Sequence, residues 1–506
     1  MTTTTYEDFA GTREGRRFRI GVISAEGVTV PTGGHVMEIH NPATGTVIGV
    51  LHEPGPAEID AVVAGAKAVY EKVWRGTAPE VRAGMLTAWA DLIVRHREEL
   101  ADIEVADVGH LRREALADID NSARVLRYYA GIADKLEGRT FAQLPDRLSY
   151  GLDEPFGVVA GVSPYNGNAN FVALKAGPAL VAGNCIVIKA PEVAPLLNYR
   201  MVELALEAGL PAGVVNVVTG RGEKVGPLLT EHPDIGMIAF TGGPGSGRAI
   251  IHQSATNIVP TFLELGGKSP AILLPDADLD IAIPSLLHSN FAKSGQSCVT
   301  GSRIFVPDTM YAEVSDRLGQ KAKTVRVGLP TKESSQMGTL ITQQHRARVD
   351  ALVKQAIDAG AVALAGGKPA EDGELANGAF YQPTVLAEVT DDNPAALNEA
   401  FGPMASVLSY SDIDEVITRA NSSEFGLSAQ VWGNDARTIQ HLTKRLEAGT
   451  VWINTYRSFH PTVPFGGMKQ SGFGKENGFD SIAMYTRRKA IVWDLTTKRE
   501  LPYTDN

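Results

Sequence analysis

The sequence predicts an α/β protein built from two doubly wound α/β domains in tandem. The main observation is two successive series of short apolar runs that alternate with helix-like stretches, which is the pattern of buried parallel strands covered by helices. A length of 506 residues also exceeds what one hydrophobic core organises, so more than one domain is expected. With 44% hydrophobic and 21% charged residues, the composition is that of an ordinary globular chain.

Two helices are predicted ahead of the first series. Residues 1–15 are polar and are expected to form a mobile tail, and the arginines between residues 13 and 19 are interpreted as solvated. Apolar residues recur at helical spacing from Ile59 to Val73 behind Pro56, which predicts an amphipathic helix. A second helix is predicted from Pro79 through Leu100.

The apolar runs of the two series are the predicted strands. Those of the first series are Phe156–Val162, Cys185–Lys189, Val214–Val218 and Ile235–Phe240, with a helix over 194–208. Those of the second series are Pro270–Leu274, Ser302–Val306, Val407–Tyr410, Leu427–Trp432 and Val451–Asn454. Two such units suit a cofactor domain and a catalytic domain with a cleft between them.

Charge and cysteine usage exclude several classes of protein. A net charge of −11 without a basic stripe argues against nucleic-acid binding. No apolar stretch is long enough for a membrane span, and the N-terminus has no recognisable secretory signal. Two cysteines form no disulfide framework and fit a reducing cytoplasm, so a cytoplasmic location is predicted. No metal site is predicted.

Cys298 is the better of the two candidates for a reactive thiol. It ends the polar, glycine-containing segment Ser294-Gly-Gln-Ser-Cys298, a setting that favours a positioned thiolate. Cys185 lies inside the apolar run that continues to Lys189 and is interpreted as a small buried hydrophobic residue.

Two further segments suggest chemistry. Glu264 lies between Leu263 and Leu265, and a carboxylate in apolar surroundings costs several kcal/mol unless it is paired or protonated. Structural pairing is the alternative to a functional role. Residues 240–247, Phe-Thr-Gly-Gly-Pro-Gly-Ser-Gly, follow a predicted strand and precede a helix, where backbone N–H groups can bind a phosphate; a tight turn is the default interpretation.

Together these segments resemble the aldehyde dehydrogenase superfamily, of the NAD(P)-dependent, hydrolytic, non-CoA-acylating type. The resemblance runs from about Asn41 to Trp493. Seven ordered segments carry it: Ser163-Pro-Tyr-Asn166, Lys189-Ala-Pro-Glu192, Phe240-Thr-Gly-Gly243, Leu263-Glu-Leu-Gly-Gly-Lys268, Gly295-Gln-Ser-Cys298, Glu399-Ala-Phe-Gly-Pro403 and Pro464-Phe-Gly-Gly-Met-Lys-Gln-Ser-Gly472.

The resemblance implies the catalytic roles. Cys298 is the expected nucleophile, which forms a thiohemiacetal and then a thioester with the aldehyde. The Asn166 side-chain amide and the Cys298 backbone N–H are the expected oxyanion hole. Glu264 is the expected general base for thioester hydrolysis and could also help deprotonate the thiol. Lys175 and Glu476 match positions that form a proton path or a structural pair.

The implied cofactor is NAD, with NADP as an alternative. Lys189 and Glu192 match contacts to the adenosine ribose, and Glu399 matches the residue that holds the nicotinamide ribose. The remaining cofactor positions are Ser163, Tyr165, Gly222, Gly226, Phe240, Gly242, Gly243, Leu265 and Phe401. Gly243 replaces a common Ser, and Lys475 replaces a usual Arg.

The resemblance also implies an aldehyde tunnel, widened where Gly167 and Leu174 replace bulkier aromatic residues. Its expected lining is Gly167, Phe171, Leu174, Lys293, Ser297, Val299, Arg457, Phe459 and Phe465. Lys293 and Arg457 are either rim charges and structural pairs or grips for an anionic far end, such as that of a semialdehyde.

The implied domains are a Rossmann-like dinucleotide-binding domain (residues 1–131 and 151–264) and a catalytic domain (residues 265–470). A small β segment (residues 132–150 and 482–506) is expected to form a homodimer or homotetramer. The alternatives are a CoA-acylating aldehyde dehydrogenase, against which Glu264 argues, and a non-catalytic binding protein that retains the fold. No nucleic-acid or membrane partner is expected.

Overall fold

The structure, a computed structural model, describes residues 18–142, 145–497 and 503. The predicted polar tail of residues 1–15 lies outside these residues. The described helices are α1 (Pro56–Lys72), α2 (Pro79–Arg95), α3 (Arg97–Val108), α4 (Arg112–Gly131), α5 (Asn168–Val181), α6 (Leu196–Glu207), α7 (Gly222–Thr230), α8 (Pro244–Ser254), α9 (Leu279–Phe291), α10 (Tyr311–Lys323), α11 (Gln343–Asp358), α12 (Pro394–Leu397), α13 (Ile413–Asn421) and α14 (Ala436–Arg445).

The described strands are β1 (Phe18–Ile20), β2 (Val22–Ser24), β3 (Gly27–Thr29), β4 (Val36–His40), β5 (Val47–His52), β6 (Arg139–Phe141), β7 (Arg147–Pro155), β8 (Val158–Val162), β9 (Cys185–Ala190), β10 (Val215–Thr219), β11 (Ile235–Thr241), β12 (Thr261–Glu264), β13 (Pro270–Leu273), β14 (Arg303–Pro307), β15 (Val362–Ala365), β16 (Thr384–Ala387), β17 (Met404–Tyr410), β18 (Phe425–Gly426), β19 (Ser428–Trp432), β20 (Thr450–Ile453), β21 (Met468–Lys469), β22 (Gly472–Phe473) and β23 (Thr486–Asp494).

The first large sheet has the strand order β22-β12-β11-β8-β9-β10-β2-β3. Its centre, from β12 to β10, is parallel, and β22, β2 and β3 are antiparallel at the two edges. All four strands predicted for the first series lie in this sheet. The sequence analysis did not identify β12, whose four residues offer too short an apolar run ahead of Glu264.

The second large sheet has the order β15-β16-β17-β14-β13-β19-β20, and only its edge strand β15 is antiparallel. Its five predicted strands are present, and β15 and β16 are additional. Adjacent residues of β13 belong to different hydrophobic clusters, Ala271 to one and Ile272 to the other. Because successive side chains of a strand point to opposite faces, both faces are covered. The predicted doubly wound α/β class is confirmed.

Three smaller sheets among the described residues are separate from the two large sheets, and one of them is the strand pair β18-β21. The strands β6, β7 and β23 form an antiparallel sheet, in which β7 and β23 pair from Arg147 with Asp494 to Pro155 with Thr486. The predicted β segment (residues 132–150 and 482–506) overlaps this sheet at β6, at the start of β7 and at β23. The third one, β1-β5-β4, lies near the N-terminus.

The helix predicted from Pro79 through Leu100 is wrong as a single element. The structure has two helices, α2 and α3, separated at His96, where ψ is 17°. His96 Nδ1 and Glu99 Oε2 are hydrogen bonded at 2.6 Å, so the His96 side chain holds the start of α3. Glu99 also accepts from Arg200 Nε on α6 at 2.7 Å, and this contact directs α3 along α6.

The length and apolar character of the described helices show whether any of them could cross a membrane. None of them is both long and apolar enough to cross a bilayer.

Candidate active site

The predicted site residues follow the carboxyl ends of neighbouring parallel strands. Asn166 follows β8, Lys189 and Glu192 lie at the end of β9, and Gly242 and Glu264 lie at the ends of β11 and β12. Parallel strands bring their carboxyl ends to one edge of a sheet, where ligands of open α/β folds bind. Segments more than 70 residues apart therefore meet at one edge because of the strand order.

A cavity of about 350 Å³ lies at this edge and joins the first sheet to the second. It contains the predicted catalytic residues together with several predicted cofactor residues. It is lined by Pro164, Tyr165, Asn166, Phe171, Thr241, Gly242, Gly243, Glu264, Leu265, Gly266, Cys298, His345, Arg348, Leu352, Glu399, Ala400 and Phe401.

Cys298 reaches the cavity on a tight connection between α9 and β14. Lys293 and Ser294 adopt left-handed backbone conformations there, with φ of 52° and 57°. Such conformations are costly for residues other than glycine and persist only where the surroundings impose them. No hydrogen bond among the described residues uses the Cys298 backbone N–H. That N–H is therefore available to a ligand in the cavity.

Cys185 has none of these features. It is the first residue of β9, is fully buried and belongs to the hydrophobic core of the first sheet. Burial alone raises the pKa of its thiol to about 12. The structure thus gives Cys185 a packing role and no access to the cavity.

The Cys298 thiol shares its surroundings with carboxyl groups. Burial raises its pKa to about 12, and the charges of Glu399 and Glu264 act in the same direction. A thiol with so high a pKa is protonated at neutral pH, and the thiolate is the nucleophile. A neighbouring group must therefore accept its proton during any reaction.

Glu264 is such a group. The residue is 3% exposed, and neither carboxyl oxygen has a hydrogen-bond partner in the part of the chain that the structure describes. Burial raises its pKa well above the usual value for Glu, and the charge of Glu476 adds to the effect. A buried carboxyl group without partners is costly to keep, and such groups are candidates for a functional site.

Lys175 and Glu476 form the expected pair behind Glu264. Lys175 Nζ donates to Thr241 Oγ1 at 2.8 Å and to Glu476 Oε1 at 3.2 Å, and both side chains are buried. Thr241 itself lines the cavity.

Asn166 is hydrogen bonded to the segment between α9 and β14 that carries Cys298. Its Nδ2 donates to the Gln296 carbonyl at 2.9 Å, and its own carbonyl accepts from Lys293 Nζ at 2.9 Å. An amide nitrogen has two donors, so one N–H remains for an oxyanion. The contact to Gln296 fixes the amide on the cavity wall that it shares with Cys298.

Lys293 is not a free tunnel cation. Its ammonium group is buried, forms an ion pair with Asp118 and donates to the Asn166 carbonyl. Of the two alternatives raised by the sequence, the structural pair is the one present.

The adenosine side of the predicted cofactor site is also assembled. Lys189 Nζ donates to Glu192 Oε2 at 2.7 Å, and Glu192 Oε1 accepts from the Gly222 N–H at 3.3 Å. Burial acts to raise the pKa of Glu192, but the adjacent Lys189 ammonium and hydrogen bonds from backbone N–H groups together outweigh it and lower the pKa. Glu192 is therefore an anion that can accept from ribose hydroxyls.

Several observations fit a bound dinucleotide. The Ser163 hydroxyl is buried without a partner in the structure, which leaves a polar atom for a ligand. Gly243 caps the N-terminus of α8, and a Cβ built on Gly243 or on Gly226 would meet nothing within 4 Å. Phe240 occupies the space beside Gly242, where an added Cβ would come within 2.5 Å of its ring.

Glu399 and Phe401 line the cavity from the loop that precedes β17. Glu399 Oε1 accepts from the Gly267 N–H at 3.2 Å, and burial raises its pKa to about 7. A Cβ on Gly266 would lie 2.2 Å from Glu399 Oε2, so a larger residue there would displace the Glu399 carboxyl group. Phe401 has a φ of 49° and meets the Tyr165 ring edge-on at 6.1 Å.

His345 and Arg348 on α11 also line the cavity and were not predicted from the sequence. His345 Nε2 donates to the Phe401 carbonyl at 2.7 Å, and its Nδ1 lies 3.3 Å from Arg348 Nη2. No glycine-rich turn or isolated charge marks them in the sequence. Only the packing of α11 against the Phe401 loop places them there.

Only some of the residues predicted to line the aldehyde tunnel lie at the cavity. Phe171 lines the cavity, whereas Leu174 and Ser297 are buried and do not line it. Leu174 packs into the core of the first sheet because it lies on the buried face of α5. Phe465 and Val299 pack with Cys298, and Phe459 contacts Phe465 at 5.1 Å between ring centroids.

One further titratable cluster lies beside this site. Glu104, His110 and Asp118 each place a potential ligand atom within 4.8 Å of the others, but Asp118 pairs with Lys293. His110 Nδ1 and Glu104 Oε1 are hydrogen bonded at 2.7 Å. Burial raises the pKa of Glu104 and lowers that of His110 to about 3, which favours a neutral pair.

Comparisons with known proteins identify the family of the chain. The model of the aldehyde dehydrogenase family matches residues 29–491. An aldehyde dehydrogenase of Bacillus cereus in complex with NAD+ is 38% identical, with a TM-score of 0.93 and coverage of 98% of this chain and 99% of that chain. PnpE of Pseudomonas sp. WBC-3 is 35% identical, with a TM-score of 0.93 and coverage of 96% and 100%.

A third similar structure is a betaine aldehyde dehydrogenase point mutant of Staphylococcus aureus in complex with NAD+. It is 31% identical, with a TM-score of 0.93 and coverage of 96% of this chain and 99% of that chain.

Proposed function

The chain belongs to the aldehyde dehydrogenase family, and from this premise we propose that it oxidises an aldehyde to a carboxylic acid with NAD+ through a thioester on Cys298. One observation carries the proposal. The Cys298 thiol, the Asn166 amide and the Glu264 carboxyl group line one cavity at the edge of the first large sheet.

The first step requires a nucleophile and a site for an oxyanion. Cys298 Sγ adds to the aldehyde carbonyl, and the charge that develops on oxygen is stabilised by the free Asn166 N–H and the Cys298 backbone N–H. One such donor contributes about 3 kcal/mol to transition-state stabilisation. Glu264 accepts the thiol proton, because its carboxyl oxygens have no other partner.

The oxidant is NAD+, whose chemistry when bound is to accept a hydride. Glu192, with Lys189, would hold the adenosine ribose, and Gly243 at the N-terminus of α8 would approach the pyrophosphate. Glu399 would hold the nicotinamide ribose. Tyr165 and Phe401 would wall the nicotinamide pocket.

The last step is hydrolysis of the thioester. Once the thiol proton has left Glu264, its carboxylate deprotonates a water molecule beside the thioester, and Asn166 again stabilises the oxyanion. Lys175 and Glu476, paired behind Glu264, give the proton a polar route out of the apolar pocket. The acid is then released and the thiol is restored.

A screen of aldehydes with NAD+ tests the proposal by the appearance of NADH absorbance and of the carboxylic acid. Product analysis with added CoA separates the acylating alternative, because acyl-CoA in place of the acid would contradict hydrolysis. Absence of NADH with every aldehyde would favour a non-catalytic binding protein.

We expect NAD to be preferred over NADP. The Glu192 carboxylate can accept from ribose hydroxyls but repels a 2′-phosphate, and Lys189, which could offset this repulsion, is already paired with Glu192. Glu192→Gln should raise kcat/KM for NADP relative to NAD roughly 10-fold. Glu223→Gln, an exposed carboxylate on α7, is the control. Equal efficiency of the wild-type protein with the two cofactors would refute the expectation.

We also propose a homo-oligomer that assembles through the sheet β6-β7-β23. Leu148, Leu152 and Trp493 are 39%, 41% and 60% exposed and share one face of this sheet. Apolar side chains grouped on one face favour a protein partner. Trp493→Glu should lower the mass measured by light scattering toward the 53.9 kDa monomer, whereas the exposed Val362→Lys on β15 should not. A wild-type monomer would contradict this proposal.

A further inference from the structure

We propose that the aldehyde carries an anionic group at its far end and that Arg457 binds this group. The inference rests on the proposed function only in taking Cys298 as the atom that receives the aldehyde. It names the class of substrate: an aldehyde with an apolar middle and a terminal carboxylate.

The first support is that Arg457 lacks a counterion. Within residues 18–142, 145–497 and 503, its guanidinium group has no ion pair and no hydrogen bond, and the side chain is half-buried. The other cation on this side, Lys293, is neutralised by Asp118. Arg113 is engaged with the carbonyls of Ser335 and Gln336. Arg457 is thus left to attract an anion.

The second support is its position relative to the thiol. Burial raises the pKa of Cys298, and the Arg457 guanidinium acts against it, so its charge is close enough to influence the reacting sulfur. The same charge lowers the pKa of His288 on α9, which is chiefly lowered by burial. Arg457 does not line the cavity shared with the cofactor residues. Its charge therefore acts on Cys298 from outside that cavity.

The third support is the backbone of Arg457. Its φ is 47°, in the left-handed region that only glycine adopts at little cost. The Arg457 carbonyl accepts from the Phe459 N–H at 2.9 Å, which closes a tight turn at this residue. Strained residues of this kind concentrate at ligand-binding positions.

An aromatic wall connects the thiol to this turn. Cys298 packs with Trp452 and Phe465, and both rings meet Phe459 edge-on, at 5.5 and 5.1 Å between centroids. Phe459 is 38% exposed and lies two residues beyond Arg457. A substrate along this wall meets apolar rings first and a cation last. A carboxylate suits the end beside Arg457, because arginine binds carboxylates with two parallel hydrogen bonds.

Matched rigid substrates test the proposal: para-formylbenzoate, benzaldehyde and para-(trimethylammonio)benzaldehyde, each assayed for NADH formation. The wild-type protein should prefer para-formylbenzoate. Arg457→Gln should raise the KM for this anionic aldehyde roughly 10- to 100-fold and change the KM for benzaldehyde less than about twofold. Arg457→Lys should retain most of the preference, and Arg95→Gln, an exposed arginine on α2, should change neither value.

The salt dependence of the wild-type protein is a second test that needs no variant. Exposed charge interactions are screened by salt, so the KM for para-formylbenzoate should rise with ionic strength while the KM for benzaldehyde stays constant. Equal effects of Arg457→Gln on both substrates, equal salt dependence, or a preference for the cationic aldehyde would overturn the anionic substrate. In each of these cases the protein would still oxidise benzaldehyde, so the proposed function would be unaffected. If the protein oxidised none of the aldehydes, both the proposed function and the anionic substrate would be contradicted.

Discussion

Cys298→Ala is expected to abolish aldehyde oxidation while the protein stays folded and binds NAD. The residues of one covalent mechanism act as a unit, so no neighbouring group should replace the thiol, and kcat should fall by at least about 10⁴-fold. Removing one sulfur atom from the contacts with Val299, Trp452 and Phe465 should cost only about 1 kcal/mol of stability. Steady-state NADH formation, thermal unfolding and a cofactor-binding titration measure the three quantities.

Cys185→Ala is the matched control. It also removes a buried sulfur atom, but from the core of the first sheet, where β9 pairs with β8 and β10. A loss of about 1 kcal/mol in unfolding free energy with most of the activity retained is expected. If instead Cys185→Ala were inactive and Cys298→Ala active, the nucleophile would be misassigned.

Glu264→Gln is expected to block thioester hydrolysis more than acylation. The amide has the shape of the carboxyl group but cannot accept a proton from water. A general base contributes about 10²- to 10⁴-fold, so steady-state turnover should fall by a factor in that range. A rapid burst of NADH, near one equivalent per active site, should precede the slow phase. Loss of the burst along with turnover would assign Glu264 mainly to thiol activation.

The pH dependence gives an independent check on Glu264. Burial, with the charge of Glu476, raises its pKa, so it keeps its proton to a higher pH than a solvated Glu. A general base works only when unprotonated, so the wild-type rate of deacylation should increase as pH rises through this raised pKa. In Glu264→Gln this rise should disappear from the slow phase. An identical rise in both proteins would mean that another group is the base.

Much of the fold could be predicted because its signals are local. Buried parallel strands appear as short apolar runs, and every run predicted for the two sheets lies within or overlaps a strand of those sheets. The pattern failed where local sequence is ambiguous. The four residues of β12 are too few to stand out, and the helical pattern from Pro79 continues past His96, where contacts between Glu99 and Arg200 redirect the chain.

The candidate site was predicted to the extent that its residues carry recognisable chemistry. Cys298, Asn166 and Glu264 lie in distinctive segments, and the structure brings all three to one cavity. His345 and Arg348 were missed because a histidine and an arginine on an amphipathic helix look like any solvated face. Their place in the cavity depends on the packing of α11 against a loop more than 50 residues away.

What the sequence by itself determined is the alternation of strands and helices and the residue types of the catalytic segments, because periodicity and side-chain chemistry are properties of neighbouring residues. What only the tertiary structure decided is which charges are neutralised. Lys293 and Arg457 are equivalent candidates in the sequence. Asp118, 175 positions away, compensates Lys293, while Arg457 has no counterion among the described residues. The distinction arises because an ion pair depends on distances in space, which the fold sets.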